Sequence, residues 1–156
     1  MYDRRSGASN PSERTVRLLA QAARSLDAML TARLTGRGLS ALHQSVLEAL
    51  TELGPHGLPD LARQLDVEES ALSPVVEELT AHGLVDLLVV HVGGRRRLVT
   101  VTEAGTAAAA AGGTDEQEVQ DQMLASLTRG ERAQLHYMLR QVCASASRGS
   151  ARPRAS

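Results

Sequence analysis

A chain of 156 residues with 42% apolar composition supports one domain, or a small domain with extensions. Aromatic residues make up only 1%, with no Phe or Trp, so the core falls to Leu, Val, Ala and Met, and aromatic platforms for stacking single-stranded nucleic acid are excluded. The single cysteine excludes an internal disulfide and a thiolate-rich zinc site, and a net charge of −1 gives no bulk attraction to a polyanion.

Residues 1–12 are polar, lack the apolar centre of a signal peptide and are expected to be disordered. No run approaches the roughly 18 apolar residues that a bilayer requires, so no membrane partner is expected and a cytoplasmic location is. Asn10 or Ser12 can cap a helix with Pro11 in its first turn. From Glu13 to about Leu34, the residues Val16, Leu19, Ala23, Leu26, Leu30 and Leu34 recur every three or four positions, an amphipathic helix ended by Gly36 and Gly38. Arg14, Arg17, Arg24 and Arg33 lie on its outward face. Ser40 caps a second helix, with Leu42, Val46, Leu47, Leu50 and Leu53 inward and Gly54 at its end.

Pro59 opens a third helix carrying Leu61, Ala62 and Leu65, and a turn at Asp66-Val67 leads to a fourth from about Glu69 to Ala81. Leu72, Val75, Val76 and Leu79 face inward on the fourth, and Pro74 within it predicts a slight bend. Residues 84–92 and 95–101 read as two strands about a Gly93-Gly94 turn, a register that pairs Val92 with Arg95 and Val90 with Arg97. Thr102 caps a fifth helix, which Gly112-Gly113 is expected to interrupt. Residues 114–127 read as helical again, with Asp115, Glu116, Glu118 and Asp121 as an acidic, solvated face. Thr128 to Glu131 forms a capping box for a last helix with Leu135, Met138, Leu139 and Val142 on one side. The small, polar and basic tail over 145–156 is expected to be disordered.

The predicted fold is mainly α with a small β-hairpin wing: a winged helix-turn-helix lobe over 39–105, flanked by dimerisation helices at 13–38 and 106–144. Helix, tight turn, helix and then a basic hairpin is the order that puts one helix in a major groove and a loop beside it. Charge opposes this reading. Residues 55–105 carry four arginines against eight acidic side chains, a net of −4.

Several stretches resemble the MarR family of bacterial transcription regulators: Leu61-Ala62-Arg63-Gln64-Leu65, Leu79 with Gly83-Leu84-Val85, Val101-Thr102-Glu103-Ala104-Gly105, and Leu127-Thr128 with Glu131-Arg132-Ala133-Gln134-Leu135. The resemblance covers about residues 13–143, and Ser70-Ala71-Leu72-Ser73-Pro74 is similar to the organic-hydroperoxide-sensing branch. It implies a symmetric homodimer in which the first and last helices interlock and two winged lobes face a palindromic operator. It also implies a small-molecule effector in the cleft between dimer helices and lobe. Three positions depart from the pattern. Gly93 stands where the family's wing has an Asp, Leu87 stands for an Arg, and the first helix lacks the hydroperoxide branch's cysteine.

The candidate DNA contacts are Arg95, Arg96 and Arg97 for phosphate or minor groove, Ser70 and Ser73 on the fourth helix for bases, and Arg37, with Arg33, for phosphate. Each has a bland counterpart: a charged hairpin edge for the arginines, and backbone capping for the serines. Cys143 is expected to be a buried helix residue. The five histidines show no metal-binding spacing, and no nucleophile–base pair or phosphate loop is present, so neither metal, cofactor nor enzymatic activity is expected. The reading is a homodimeric, ligand-responsive repressor on duplex DNA. The alternative is an interaction module on the same scaffold that has lost or weakened operator binding, in keeping with the −4 lobe.

Overall fold

The computed structural model describes residues 10–150; residues 1–9 and 151–156, where much of the expected terminal disorder falls, lie outside the described residues. The Asn10 side chain accepts a hydrogen bond from the Ser12 N–H at 3.1 Å, and Pro11 follows, so helix α1 (Pro11–Gly36) begins inside the segment expected to be disordered. Helix α2 (Ala41–Leu53) starts on a reciprocal cap in which the Ser40 hydroxyl accepts from the His43 N–H and His43 Nδ1 accepts from the Ser40 N–H. Helices α3 (Leu58–Leu65) and α4 (Glu69–Ala81) are joined through Asp66, held at φ 53°. Strands β1 (Val85–Val90) and β2 (Arg96–Val101) form an antiparallel hairpin, followed by α5 (Glu103–Met123) and α6 (Arg129–Ser150).

The chain divides into two units at Val119 and Gln120, within α5. In the first, Val46, Leu47 and Leu50 of α2, Leu61 of α3, and Leu72 and Leu79 of α4 are buried with Val85 and Val99 of the hairpin. Full burial of each such side chain contributes about 1.5–3 kcal/mol, which makes this cluster the main source of the lobe's stability. Leu53, expected inward, is the last residue of α2, one turn past Leu50, and is half exposed.

The hairpin register differs from the expected one by a residue. Val90 pairs with Arg96 and Val89 with Arg97, leaving a five-residue loop over 91–95. The reason lies in the core. The register found sets Val85 opposite Val101 and Leu87 opposite Val99, so the buried residues share one face. The two-residue turn would have put Asp86 opposite Val101 on that face, and a buried, unpaired carboxylate is far more costly than a longer loop. On the edge of β2 away from β1, Val99 exchanges both backbone hydrogen bonds with His56, which ties the α2–α3 connection to the hairpin.

Helix α5 runs unbroken through Gly112-Gly113. A Cβ on Gly112 would lie 2.2 Å from Gln44 Oε1. Gly112 therefore marks where α2 and α5 approach, not where α5 stops. Gly105 has the same cause, since its Cβ would sit 1.9 Å from the Leu84 carbonyl oxygen. Thr102 Oγ1 donates to the Gly83 carbonyl and accepts from the Gly105 N–H, joining the end of α4 to the start of α5. In the second unit the Thr128–Glu131 capping box forms as expected, with the Thr128 N–H donating to Glu131 Oε2 at 2.7 Å. Helix α6 continues past 144 to Ser150, where a disordered tail was expected to begin; Ala144 and Ala146 are good helix formers and the Ser147 hydroxyl donates to the Cys143 carbonyl. Cys143 is exposed in this chain, contrary to expectation, as no side chain of α6 is buried among the described residues.

Candidate nucleic-acid interface

Burial on α4 follows a strict helical repeat. Leu72, Val76 and Leu79 face the core, which leaves Ser70, Pro74, Glu77 and Ala81 on the opposite, exposed ridge. Spacings of four, three and four place these residues in one line along the helix. Among the described residues neither the Ser70 nor the Ser73 hydroxyl has a hydrogen-bond partner, and Glu68 at the N-cap makes no side-chain cap. The backbone-capping role that competed for these serines is thus unoccupied. Both are available for a ligand.

The two shoulders of α4 differ. On one, Ser73, Glu77, Leu87, Arg97 and Val99 line a cavity of about 190 Å³ between α4 and the hairpin. On the other, Glu78 Oε2 lies 2.8 Å from His43 Nε2. Because the Ser40 N–H can only donate, His43 Nδ1 must accept, so the ring's proton sits on Nε2 and is donated to Glu78. In the sequence Glu78 is one of the eight acidic side chains counted over residues 55–105. Here it anchors α4 to α2, and no spacing rule links positions 43 and 78.

The three wing arginines are exposed and none is in an ion pair among the described residues, but they do not act as one cluster. Arg97 shares the inner face with Leu87 and Val99 and faces the α4 groove, Arg96 sits on the outer face with Leu98, and Arg95 lies in the loop. Gly93, at φ 68°, occupies a left-handed conformation that an Asp would adopt only with strain.

Arg37 is not free. Its Nε donates to Asp115 Oδ2 at 2.6 Å, while Arg33 reaches Asp115 at 3.7 Å and Glu118 at 3.1 Å. The hydrogen bond from Arg37 holds the Asp115 carboxyl below its ordinary range against an opposing desolvation, and the same bond raises Arg37. The face of α5 expected to be solvated is therefore, at Asp115 and Glu118, a clamp on the end of α1. Among the described residues no group of three or more His, Cys, Asp or Glu is placed to hold a metal, and no helix is long and apolar enough to cross a membrane.

No protein-family model matches the chain. Among solved structures, a probable transcriptional regulator from Pseudomonas aeruginosa is 31% identical, with a TM-score of 0.64 over 80% of this chain and 93% of that one. The reduced form of MarR from E. coli is 25% identical, with a TM-score of 0.70 over 81% of this chain and 93% of that one. The chain belongs to the MarR family. In MarR terms α3 and α4 are the helix-turn-helix and β1–β2 the wing. Two further relatives bear on regulation. BpsR of Bordetella bronchiseptica, whose DNA binding is regulated by 6-hydroxynicotinic acid, is 27% identical, with a TM-score of 0.64 over 87% of this chain and 98% of that one. The transcriptional repressor NicR of Pseudomonas putida is 29% identical over 104 residues, which span 67% of this chain and 66% of NicR. The MarR-family wing here keeps its arginines while lacking the acidic residue expected beside them.

Proposed function

We propose that this protein is a DNA-binding transcription regulator, a ligand-responsive repressor that acts as a homodimer on a palindromic operator. The observation that carries the reading is the exposed ridge of α4, with unpartnered Ser70 and Glu77, next to a wing whose Arg95, Arg96 and Arg97 are free. In this mechanism the wing arginines contact phosphate or minor groove and the α4 ridge reads bases in the major groove. Ser70 and Ser73 accept or donate. Glu77 only accepts, which favours the cytosine amino group, since adenine presents an acceptor beside its own. Arg37, clamped by Asp115, reinforces α1 instead of serving as a primary phosphate contact.

The dimer is supported by apolar positions that one chain leaves uncovered: Val16 and Leu19 on α1, and Tyr137, Met138 and Val142 on α6. The likeness to NicR and BpsR supports repression and ligand response.

Selection of bound fragments from genomic DNA tests the reading directly. Recovery of a few related, two-fold symmetric sites is the expected result, with sedimentation showing a dimer at micromolar concentration. Recovery of none, by a folded dimer, would favour the interaction module that the −4 lobe also suits.

A further inference from the structure

Pro74 lies inside α4, beyond the first turn in which a helix tolerates proline. In a helix interior proline is the least favourable residue of all. Its ring takes away the N–H that would have bonded to the Ser70 carbonyl and crowds that oxygen, so an acceptor on the exposed side of α4 loses its helical partner. Packing within the chain does not offset the loss, since Pro74 is exposed and the core face is filled by Leu72, Val76 and Leu79. A local rule broken where the fold gains nothing points to a surface that meets something else.

The neighbours of Pro74 on the exposed ridge fix what that something presents. At about 1.5 Å per residue, Pro74 stands about 6 Å past Ser70 and about 4.5 Å before Glu77. The ridge between those two therefore covers about 10.5 Å, roughly three base-pair steps of about 3.4 Å. Its chemistry, in order, is a hydroxyl with a freed carbonyl, an apolar ring and a carboxylate, and Ala81 continues it with a methyl group. No cation stands on this ridge. Guanine shows the major groove two acceptors, N7 and O6, for which the ridge has no donor but the Ser70 hydroxyl. The thymine C5-methyl is the one apolar group that the bases show there, and the exocyclic amino groups are the donors.

We propose that Pro74 is a specificity residue for the operator: its ring packs against the C5-methyl of a thymine in each half-site, and the Ser70 carbonyl beside it accepts from the amino group of the adjoining base pair. The inference rests on the operator-binding reading above, and it adds a thymine to the cytosine that Glu77 selects. The pyrrolidine ring is rigid and uncharged, so the contact discriminates by burying one methyl group and not by attraction to phosphate. It is therefore insensitive to salt, unlike the contacts of the wing arginines.

The test takes the operator selected from genomic DNA and replaces each thymine in turn by deoxyuridine, which removes the methyl and keeps every hydrogen-bonding group. Affinity is read by fluorescence anisotropy with the full chain. One position in each half-site should weaken binding of the native protein by about fourfold, the worth of one buried methyl-sized group, and by about fifteenfold when both half-sites carry the change. Pro74→Ala restores the N–H and is favoured by helix propensity, so the fold is kept. That variant should bind the thymine and uracil operators equally at this position, with an unchanged slope of log affinity against log salt. A half-site without thymine, uracil tolerated at every position by the native protein, or the same penalty retained by Pro74→Ala overturns the proposal. A folded dimer that binds no operator overturns it together with the reading on which it rests. One that binds its operator without regard to the methyl removes the thymine contact alone.

Discussion

Helices α1 and α4 are both amphipathic, and their fates within one chain are opposite. On α4, Leu72, Val76 and Leu79 are buried by α2, α3 and the hairpin, and the polar face is acidic. On α1, 26 residues long, none is buried, Val16 stands 64% exposed, and the polar face carries Arg14, Arg17 and Arg24. The same local pattern produced both helices, so periodicity alone does not say whether an apolar stripe meets its own chain. The covered stripe reports the fold of the lobe. The uncovered one is a stripe that its own chain leaves open, the surface that the proposed dimer would cover.

The largest expected effect sharpens that contrast. Leu72→Ala should destabilise the lobe by about 2–5 kcal/mol in denaturant unfolding, as for other large-to-small changes at fully buried sites. Leu19→Ala on α1 should change single-chain stability little and instead weaken self-association by sedimentation. Equal losses from both would break the comparison. Next in size is Gly105→Ala, which forces a methyl group against the Leu84 carbonyl and should cost about 1–3 kcal/mol, whereas Gly113→Ala, which meets nothing, should be near neutral or stabilising.

On the DNA side, replacing Arg95, Arg96 and Arg97 together by Ala should weaken duplex binding across sequences and flatten the dependence of log affinity on log salt by up to about 0.9 per lost contact. An unchanged slope would place the wing away from DNA. The clamp between α1 and α5 predicts a pH signature. The Asp115 carboxyl is depressed in the folded protein, chiefly by its hydrogen bond from Arg37, so its contribution is complete above the ordinary aspartate range and is lost as pH falls through the depressed value. Asp115→Asn should lower stability at neutral pH and flatten its fall on the acid side, read as the denaturant midpoint against pH.

The smallest effect divides two neighbouring acids. Glu77→Gln should tighten binding to random duplex by a few tenths to about 1 kcal/mol at low salt and relax the preference for cytosine at one position in each half-site. Glu78→Gln keeps an acceptor for His43 and should leave base preference unchanged. Matching shifts in preference from both variants would show that the ridge assignment on α4 is wrong.

The sequence by itself determined the helices, the hairpin and the winged-lobe order, because capping residues, three-to-four spacing and paired glycines act over a few residues. It also marked Ser70, Ser73 and the wing arginines as exposed candidates, since position relative to the helix-turn-helix suffices for that. Tertiary structure alone decided the rest. Gly112 turned from a predicted break into a contact with Gln44, the hairpin shifted register to keep Asp86 off the core face, Arg37 was drawn to Asp115 from 78 positions away, and Glu78 was claimed by His43. Each of these outcomes is set by what packs against a residue from a distant part of the chain: backbone clearance, the expense of burying charge and the geometry of a hydrogen bond, none of which leaves a period in the sequence.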